Sequence, residues 1–454
     1  MPLHESLIII YRPGLNSNNK KNMFSIRSST NLLTNNIKYC FTISKQTTTI
    51  HLNRYQYSTS SSSSATLQNI VDKKVEDNSF RVLFFGTDHV SIHTLKKLHD
   101  NLKIDRLIKE LEVVCPNNKD ELVYQYAKKE GLSMYHPDIE TGMKQFQVPV
   151  SSKSGKPFDM AVVVSFGYFI PKKVLNTFTF GGINVHPSLL PKYRGAAPIY
   201  HTLINDDRET GVSIIKLDPL KFDVGDILDQ TKYKIKGNTL YLELLNELAS
   251  IGANSVIRVL DQFKNLIPWA QGEDGVSRAP KINKDNGRID WENDTCQDIW
   301  TKYRAFSDTI SIYTHYYSKK SKAWKRVKLY DMINPLVKGS NIFGIDLNQQ
   351  QSQLSMMNDI IEDTKHLQLD HTIQKNGQYF ITFDRKKSYF GIIWVKCLDG
   401  WVGFKSAHEE GKKRLLAKEF FFAKGIISPI GENDQKTNLI STQQFRINKQ
   451  QQEN

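Results

Sequence analysis

The sequence predicts an α/β domain built on a mostly parallel sheet, followed by a smaller β-rich domain. Three observations carry this. Compact apolar runs such as "FRVLFFG" and "DMAVVVSFG" alternate with segments of helical spacing. Beyond about residue 265 the pattern changes to Ile-, Tyr-, Phe- and Trp-rich runs separated by polar turns. And 454 residues are too many for one compact domain.

Taken in order, "SFRVLFFGT" (79–87) predicts a strand buried on both faces, as in parallel sheets. "SIHTLKKLHDNL" follows with Ile92, Leu95 and Leu98 at helical spacing. "LEVVCP" predicts a second strand and "DELVYQYAKKEGL" a second helix, stopped at Gly131. "DMAVVVSFG" is a further buried strand, followed by "IPKKVLN", the strand "GGINVH", the helix "PIYHTLIND" and the strand "TGVSIIKL". The first turn, "FFGTDHVS", has one glycine rather than GxGxxG, which argues against a dinucleotide site. The Pro- and Gly-punctuated stretch over 266–285 predicts a linker. "TISIYTHYY", "RVKLYDMI", "QYFITFD" and "YFGIIWVKCL" then predict the strands of a small barrel or sandwich over 286–430. Gln/Asn-biased "LNQQQSQLSMMNDIIEDTKHLQ" predicts a surface insertion, and 431–454 a loose polar tail.

Residues 1–66 contain one acid, Glu5, against Arg12, Lys20, Lys21, Arg27, Lys38, Lys45 and Arg54, and end in "STSSSSSAT". Basic, hydroxyl-rich and acid-poor composition predicts a disordered transit peptide. The net charge of +14 favours an anionic partner. No apolar run is long enough for a bilayer-spanning helix, so no membrane partner is expected. Cys40, Cys115, Cys296 and Cys397 form no CxxC pair, and neither a metal knuckle nor a disulfide framework is expected.

The chemistry concentrates where "GGINVH" ends. Active sites of open α/β sheets lie outside the carboxyl ends of their strands, and Asn184 and His186 sit at such an end. Asn184 offers an amide donor, and His186 can donate to an oxyanion or carry a proton. Asp223 in "KFDVGDIL" could orient an imidazole, with Gly225 allowing a tight turn. Together the three could stabilise a tetrahedral oxyanion with no protein nucleophile. Ser188 lacks a GxSxG context, so an acyl-enzyme is a weak reading. Taken alone, these residues also read as an ordinary strand end and turn. Residue chemistry by itself stops at an α/β enzyme of acyl or group transfer.

Longer strings narrow this. "NVHPSLLPKYRGAAPIYHTLINDDRETGVSIIKLD" and the "KFDVG" turn resemble the folate-dependent formyltransferases, in particular their tRNA-acting mitochondrial branch. The likeness runs from about Arg81 to Phe263 and resumes at "APKINKDNGRIDW", "YRAFSD" and "FKSAHEEGKKRLLAKEFF". The resemblance implies a Rossmann-like catalytic domain over 79–265 and an OB-like, tRNA-binding barrel over 286–430. It implies transfer of a formyl group from 10-formyltetrahydrofolate to the amino group of initiator methionyl-tRNA, with no covalent intermediate and no metal. It implies Asn184, His186 and Asp223 as catalytic residues and Ser188, Leu189, Leu190 and Pro191 as the folate loop. A monomer in the mitochondrial matrix is expected. The chain departs from the family in its first turn, where Asp88 stands in the usual place of Pro, and in lacking a basic loop after the second strand. The cationic runs Lys319, Lys320, Lys322, Lys325 and Arg326, and Lys412, Lys413 and Arg414, are therefore expected to hold the tRNA. Two other functions stay open: formyl transfer to a small amine, such as an amino sugar or ribonucleotide, and RNA binding without catalysis.

Overall fold

The structure, a computed structural model, describes residues 79–104, 107–318, 321–333, 376–383 and 391–423, with a few short strands outside them. Residues 1–77 form a separate unit, in which Ile8–Ile10 pairs with Ser25–Arg27 and Cys40–Thr42 with His51–Asn53. The rest of the expected transit segment, the 347–368 insertion and nearly all of the tail lie outside the described residues. Among the described residues no helix is long and apolar enough to cross a membrane.

The second unit carries two sheets. In the first, β1 (Phe80–Gly86), β2 (Ile108–Val114), β3 (Met134–Tyr135), β4 (Met160–Val164) and β5 (Gly182–His186) run parallel. β6 (Glu209–Lys216) and β7 (Ile227–Lys234) continue beyond β5 in antiparallel sense. The order is β7-β6-β5-β4-β1-β2-β3. Helices cover both faces of β1 and β4, so their side chains are buried almost throughout. Each fully buried valine, such as Val162 or Val164, stabilises the fold by about 1.5–3 kcal/mol. Helix α1 (Ser91–Lys103) buries the expected Ile92, Leu95 and Leu98. Helix α2 (Leu122–Glu130) ends at Gly131, whose φ of 68° gives the left-handed turn that releases the chain. A short loop joins β2 to α2, as the sequence spacing predicts. The expected helix after β4 is a single turn, α3 (Lys172–Leu175), and α4 (Pro198–Ile204) opens on a proline at its first position. Strand β7 and the long α5 (Tyr241–Gln262) are not evident from period alone; α5 buries Leu244, Leu245, Leu248, Val256 and Val259.

The second sheet is antiparallel throughout. It comprises β8 (Ile312–Ser318), β9 (Ala323–Ile333), β10 (Gln378–Phe383), β11 (Gly391–Lys396), β12 (Trp401–Glu409) and β13 (Leu415–Leu416). A final short strand, β14 (Gln443–Gln444), pairs with β10 within the tail. Helix α6 (Cys296–Phe306) precedes this sheet, and α7 (Ala417–Ala423) follows it.

The 266–285 stretch is not a free tether. Trp269 exchanges backbone hydrogen bonds with Ile227, and Arg194 exchanges them with Ser277 and Ala279. The segment therefore runs back along the first sheet before α6 begins. Helix α6 then packs on α4, and at this contact Arg304, only 1% exposed, pairs with Asp206. Gln297 donates to the other Asp206 oxygen at 3.0 Å. Removing one partner of a buried pair leaves the other charge uncompensated. Asp206 has a left-handed φ of 50°, which Asn tolerates, so Asp206→Asn is the clean probe. Asp206→Asn is expected to lower the unfolding free energy of the full chain by about 2–4 kcal/mol in urea titrations, and Arg304→Met/Asp206→Asn by less. Equal losses would show that the uncompensated guanidinium is not the cause.

Candidate active site

The strand β5 ends in Asn184, Val185 and His186, and the alternation of a strand puts Asn184 and His186 on one face. The neighbouring antiparallel β6 leads to the 217–226 turn, which brings Asp223 back over that strand end. The Asp223 carboxylate meets both residues. Asn184 Nδ2 donates to Oδ1 at 3.4 Å, His186 Nδ1 lies 3.4 Å from the same oxygen, and the Gly195 N–H donates to Oδ2 at 2.9 Å. His186 is buried and its Nε2 donates to the Tyr193 carbonyl at 2.9 Å. A carbonyl only accepts, so that nitrogen carries a proton.

Two tight backbone approaches make this arrangement. Asp223 has φ 57°, a left-handed conformation that aspartate tolerates better than most residues. Gly195 has φ 125°, and a Cβ there would lie 2.7 Å from the Ala279 carbonyl oxygen. Gln271 ties the pieces together. Its amide donates to the Asp223 and Gly225 carbonyls, both at 2.9 Å, while its oxygen accepts from Arg194.

Asn184, His186 and Asp223 line a cavity of about 520 Å³. Its apolar wall includes Phe166, Tyr168, Phe169, Tyr200, Phe222 and Tyr241. Phe169 and Phe222 pack edge to face at 5.1 Å and are both exposed, whereas Tyr200 and Tyr241 stack at 4.0 Å deeper in. Burial pushes the Tyr241 hydroxyl far above its ordinary range, so it stays protonated. A space of this size, with aromatic walls and a few convergent polar groups, suits a flat ring system. The wall from Val163 to Gly167 is expected from the "VVSFG" strand end. Tyr200, Phe222 and Tyr241 are not, because an aromatic residue in a helix or turn carries no signal that it faces a cavity rather than the core.

Ser188, Leu189, Leu190 and Pro191 do not line the cavity. Ser188 is fully buried, its hydroxyl donating to the Lys192 carbonyl at 2.6 Å and its own carbonyl accepting from Ser213. Leu190 packs against Ile215 and Ile227. The loop thus holds the residues around it rather than forming the wall. Asp88, the departure in the first turn, does line the cavity. Its Oδ1 accepts from the N–H groups of Val90 and Ser91 at the start of α1, and its Oδ2 from Ser165 at 2.5 Å.

Of the cationic runs, Lys319 and Lys320 lie outside the described residues. Lys322 is exposed in the β8–β9 turn. Lys325 and Arg326 point to opposite faces of β9, because successive strand residues alternate; the run does not form one cationic surface. Arg326 stacks over Tyr313 at 3.6 Å and lies opposite His315. Lys328 shares that outward face and pairs in register with His408. Lys412 pairs with Glu409 at 2.8 Å, Arg414 with Asp331, and Lys413 is exposed. Arg414 also lies 4.3 Å over Tyr330. Arg326, Lys328 and Arg414 therefore lie near one face of the second sheet, but Arg326 and Arg414 are already stacked or paired.

Residues 80–260 match the formyl transferase family and residues 281–354 the formyl transferase C-terminal domain. The chain is 31% identical over 356 residues to the mitochondrial methionyl-tRNA formyltransferase of Mus musculus, covering 76% of this chain and 78% of the relative. It is 31% identical to that of Homo sapiens, covering 77% and 79%, and 36% identical over 250 residues to the methionyl-tRNA formyltransferase of Dictyoglomus thermophilum, covering 54% and 78%. A crystal structure of a sugar 3N-formyl transferase in the presence of dTDP and 5-N-formyl-THF is similar over 73% of this chain and 98% of its own, at 15% identity and a TM-score of 0.45.

The Gly195 approach is directly testable. Gly195→Ala puts a Cβ against Ala279 and demands a φ that alanine disfavours, so about 2–3 kcal/mol of stability should be lost. Limited proteolysis should then cut within 266–279 faster than in the wild-type chain, because the backbone bonds that dock the segment are weakened. Unchanged cleavage would separate that segment from the site loop.

Proposed function

The chain belongs to the formyltransferase family, among the methionyl-tRNA formyltransferases, and on that premise we propose how its residues perform the reaction. The enzyme transfers a formyl group to the amino group of methionyl-tRNA, with a folate as co-substrate. The observation that carries the mechanism is the convergence of Asn184, His186 and Asp223 on one aromatic-walled cavity.

In the proposed reaction the donor is 10-formyltetrahydrofolate, its ring system lying against the aromatic wall. The methionyl amine attacks the formyl carbon directly, forming a tetrahedral oxyanion. Asn184 supplies a donor to it: its amide has two hydrogens, and the long contact to Asp223 uses at most one. His186 reaches the oxyanion only by giving up its bond to the Tyr193 carbonyl, so Asn184 is the better placed donor in the resting site. Asp223 orients the imidazole and, with it, takes the proton from the attacking amine. The C–N bond to the folate then breaks, and the proton passes to the departing nitrogen. No bond to the protein forms. Ser188, Leu189, Leu190 and Pro191 contribute by holding the loop that supplies Tyr193 and Gly195.

The tRNA is proposed to meet the face of the second sheet that carries Arg326, Lys328, His408 and Arg414, where aromatic rings interleave with cations. The short β2–α2 loop supports this reading, since it leaves that end of the catalytic domain without a cationic extension. We propose the domain boundaries given by the sequence, with 266–285 acting as a docked connector. The enzyme is mitochondrial, and the acid-poor segment 1–66 is proposed to direct it to the matrix.

Two measurements test these assignments. Asn184→Ala and Asp223→Asn should each lower turnover by about 10²–10³ with the folate KM changed only a few-fold. A raised folate KM with wild-type turnover would instead make them binding residues. Replacing Arg326, Lys328 and Arg414 by Gln should raise KM for the tRNA and leave folate KM unchanged. The salt dependence of the tRNA KM should flatten by about 0.7–0.9 for each phosphate the protein no longer neutralises. An unaltered salt slope would show that this face does not touch the tRNA.

A further inference from the structure

Sequence spacing gives no hint that Cys296 and Cys397 meet, yet their sulfurs lie 3.4 Å apart in the interior, 101 residues apart in the chain. Both are free thiols in this structure. Cys296 is the first residue of α6, and Cys397 follows β11 just before the Leu398–Gly400 turn. The approach is reserved by the backbone: a Cβ on Gly400 would lie 2.9 Å from the Cys296 sulfur. Asp399 Oδ1 accepts the Cys296 backbone N–H at 2.7 Å, so the turn is fastened to the helix start.

We propose that Cys296 and Cys397 form a redox-modifiable dithiol, which a small-molecule disulfide of the glutathione type converts to an internal disulfide joining α6 to the second sheet. The Cys397 thiolate attacks the external disulfide and releases one thiolate, leaving a mixed disulfide. Cys296 loses its proton and attacks the Cys397 sulfur, releasing the second thiolate. Two protein thiols are oxidised by two electrons, and the external disulfide is reduced to two thiols.

The hydrogen bond between the two thiols lowers the pKa of Cys397 and raises that of Cys296. Cys115, by contrast, is buried in the first sheet and its thiol is pushed up to about 12 by burial. Access is through the Leu398–Gly400 turn, where Leu398 is 51% exposed and Asp399 is exposed. The turn is closed by a Cys397 N–H bond to the Gly400 carbonyl and a Leu398 N–H bond to the Asp294 carbonyl. Bridging needs the sulfurs to close from 3.4 Å to about 2.05 Å, a side-chain rotation.

Cys296, Cys397 and Asp399 could also face a cation, but the geometry favours the disulfide. Two thiolates on one tetrahedral zinc, with bonds of about 2.3 Å, stand about 3.8 Å apart, farther than these sulfurs. The Asp399 oxygen nearest them is already occupied by the Cys296 N–H.

The full chain treated with glutathione disulfide should yield a Cys296–Cys397 cross-linked peptide on mapping under alkylating conditions, with Cys115 still alkylated as a free thiol after unfolding. Tm should rise by about 5–10 °C relative to the reduced protein, because the bridge closes a long loop, and fall back with dithiothreitol. Cys397→Ser and Cys296→Ser should abolish the shift. A stable glutathione adduct without the cross-link would overturn the proposal, and so would stoichiometric zinc by elemental analysis that Cys397→Ser removes. The reduced and oxidised wild-type comparison stands whether or not the variants fold.

Discussion

The proposed active site depends on the backbone from Tyr193 to Ala197 being held from two directions at once. On one side the Asp223 carboxylate receives the Gly195 N–H. On the other, Arg194 and Ala197 bond to Ser277 and Ala279, and only glycine leaves room for the Ala279 carbonyl to come so close. The Tyr193 carbonyl fixes the His186 tautomer from the same loop. A side chain with several rotatable bonds is a poor catalyst unless its neighbours choose its geometry, and here the choice is made mostly by main-chain groups. Asp223 in turn has its conformation set by Gln271, which reaches two carbonyls of its turn. The polar residues at the strand end are therefore not independent groups that happen to meet.

Much of the first sheet is legible because buried parallel strands have a composition of their own. "DMAVVVSFG" and "FRVLFFG" announce themselves, and the helix after β1 follows from Ile92, Leu95 and Leu98. The site is legible as far as Asn184, His186 and Asp223 through the length of the matching string, not through their chemistry alone. What stays hidden has a common cause. The aromatic wall, the Cys296–Cys397 approach and the docking of 266–285 each depend on segments far apart in sequence, and local periodicity says nothing about such meetings. The 187–191 loop illustrates the converse. "PSLLP" reads as a contact surface, whereas Ser188 and Leu190 are spent on internal bonds and packing. The cationic run misleads in another way: counting charges along a strand ignores that neighbours point to opposite faces.

Among the described residues the two sheets meet through α6 rather than sheet against sheet. Arg304 and Gln297 converge on Asp206, and Phe306 packs near the Tyr200 ring at 5.8 Å. Tyr200 also stacks on Tyr241 in the cavity wall. A chain of packed rings thus runs from the cavity to the helix that begins the C-terminal domain. The proposed placement of a large acceptor on one domain and of a small donor in the other requires a fixed relation between them, and this helix provides it with polar and aromatic contacts together.

The docking of Gln271 and Ala279 also bears on how the enzyme is made. A ribosome delivers the chain from its N-terminus, and the strands of the first sheet end at Lys234. That sheet and its helices can assemble while the residues that lock Gly195 and Asp223 are still inside the exit tunnel. The residues proposed for catalysis are therefore translated well before their geometry is complete. The site becomes competent only when the connector has emerged and laid itself along the loop, so the nascent chain has a fold before it has a function.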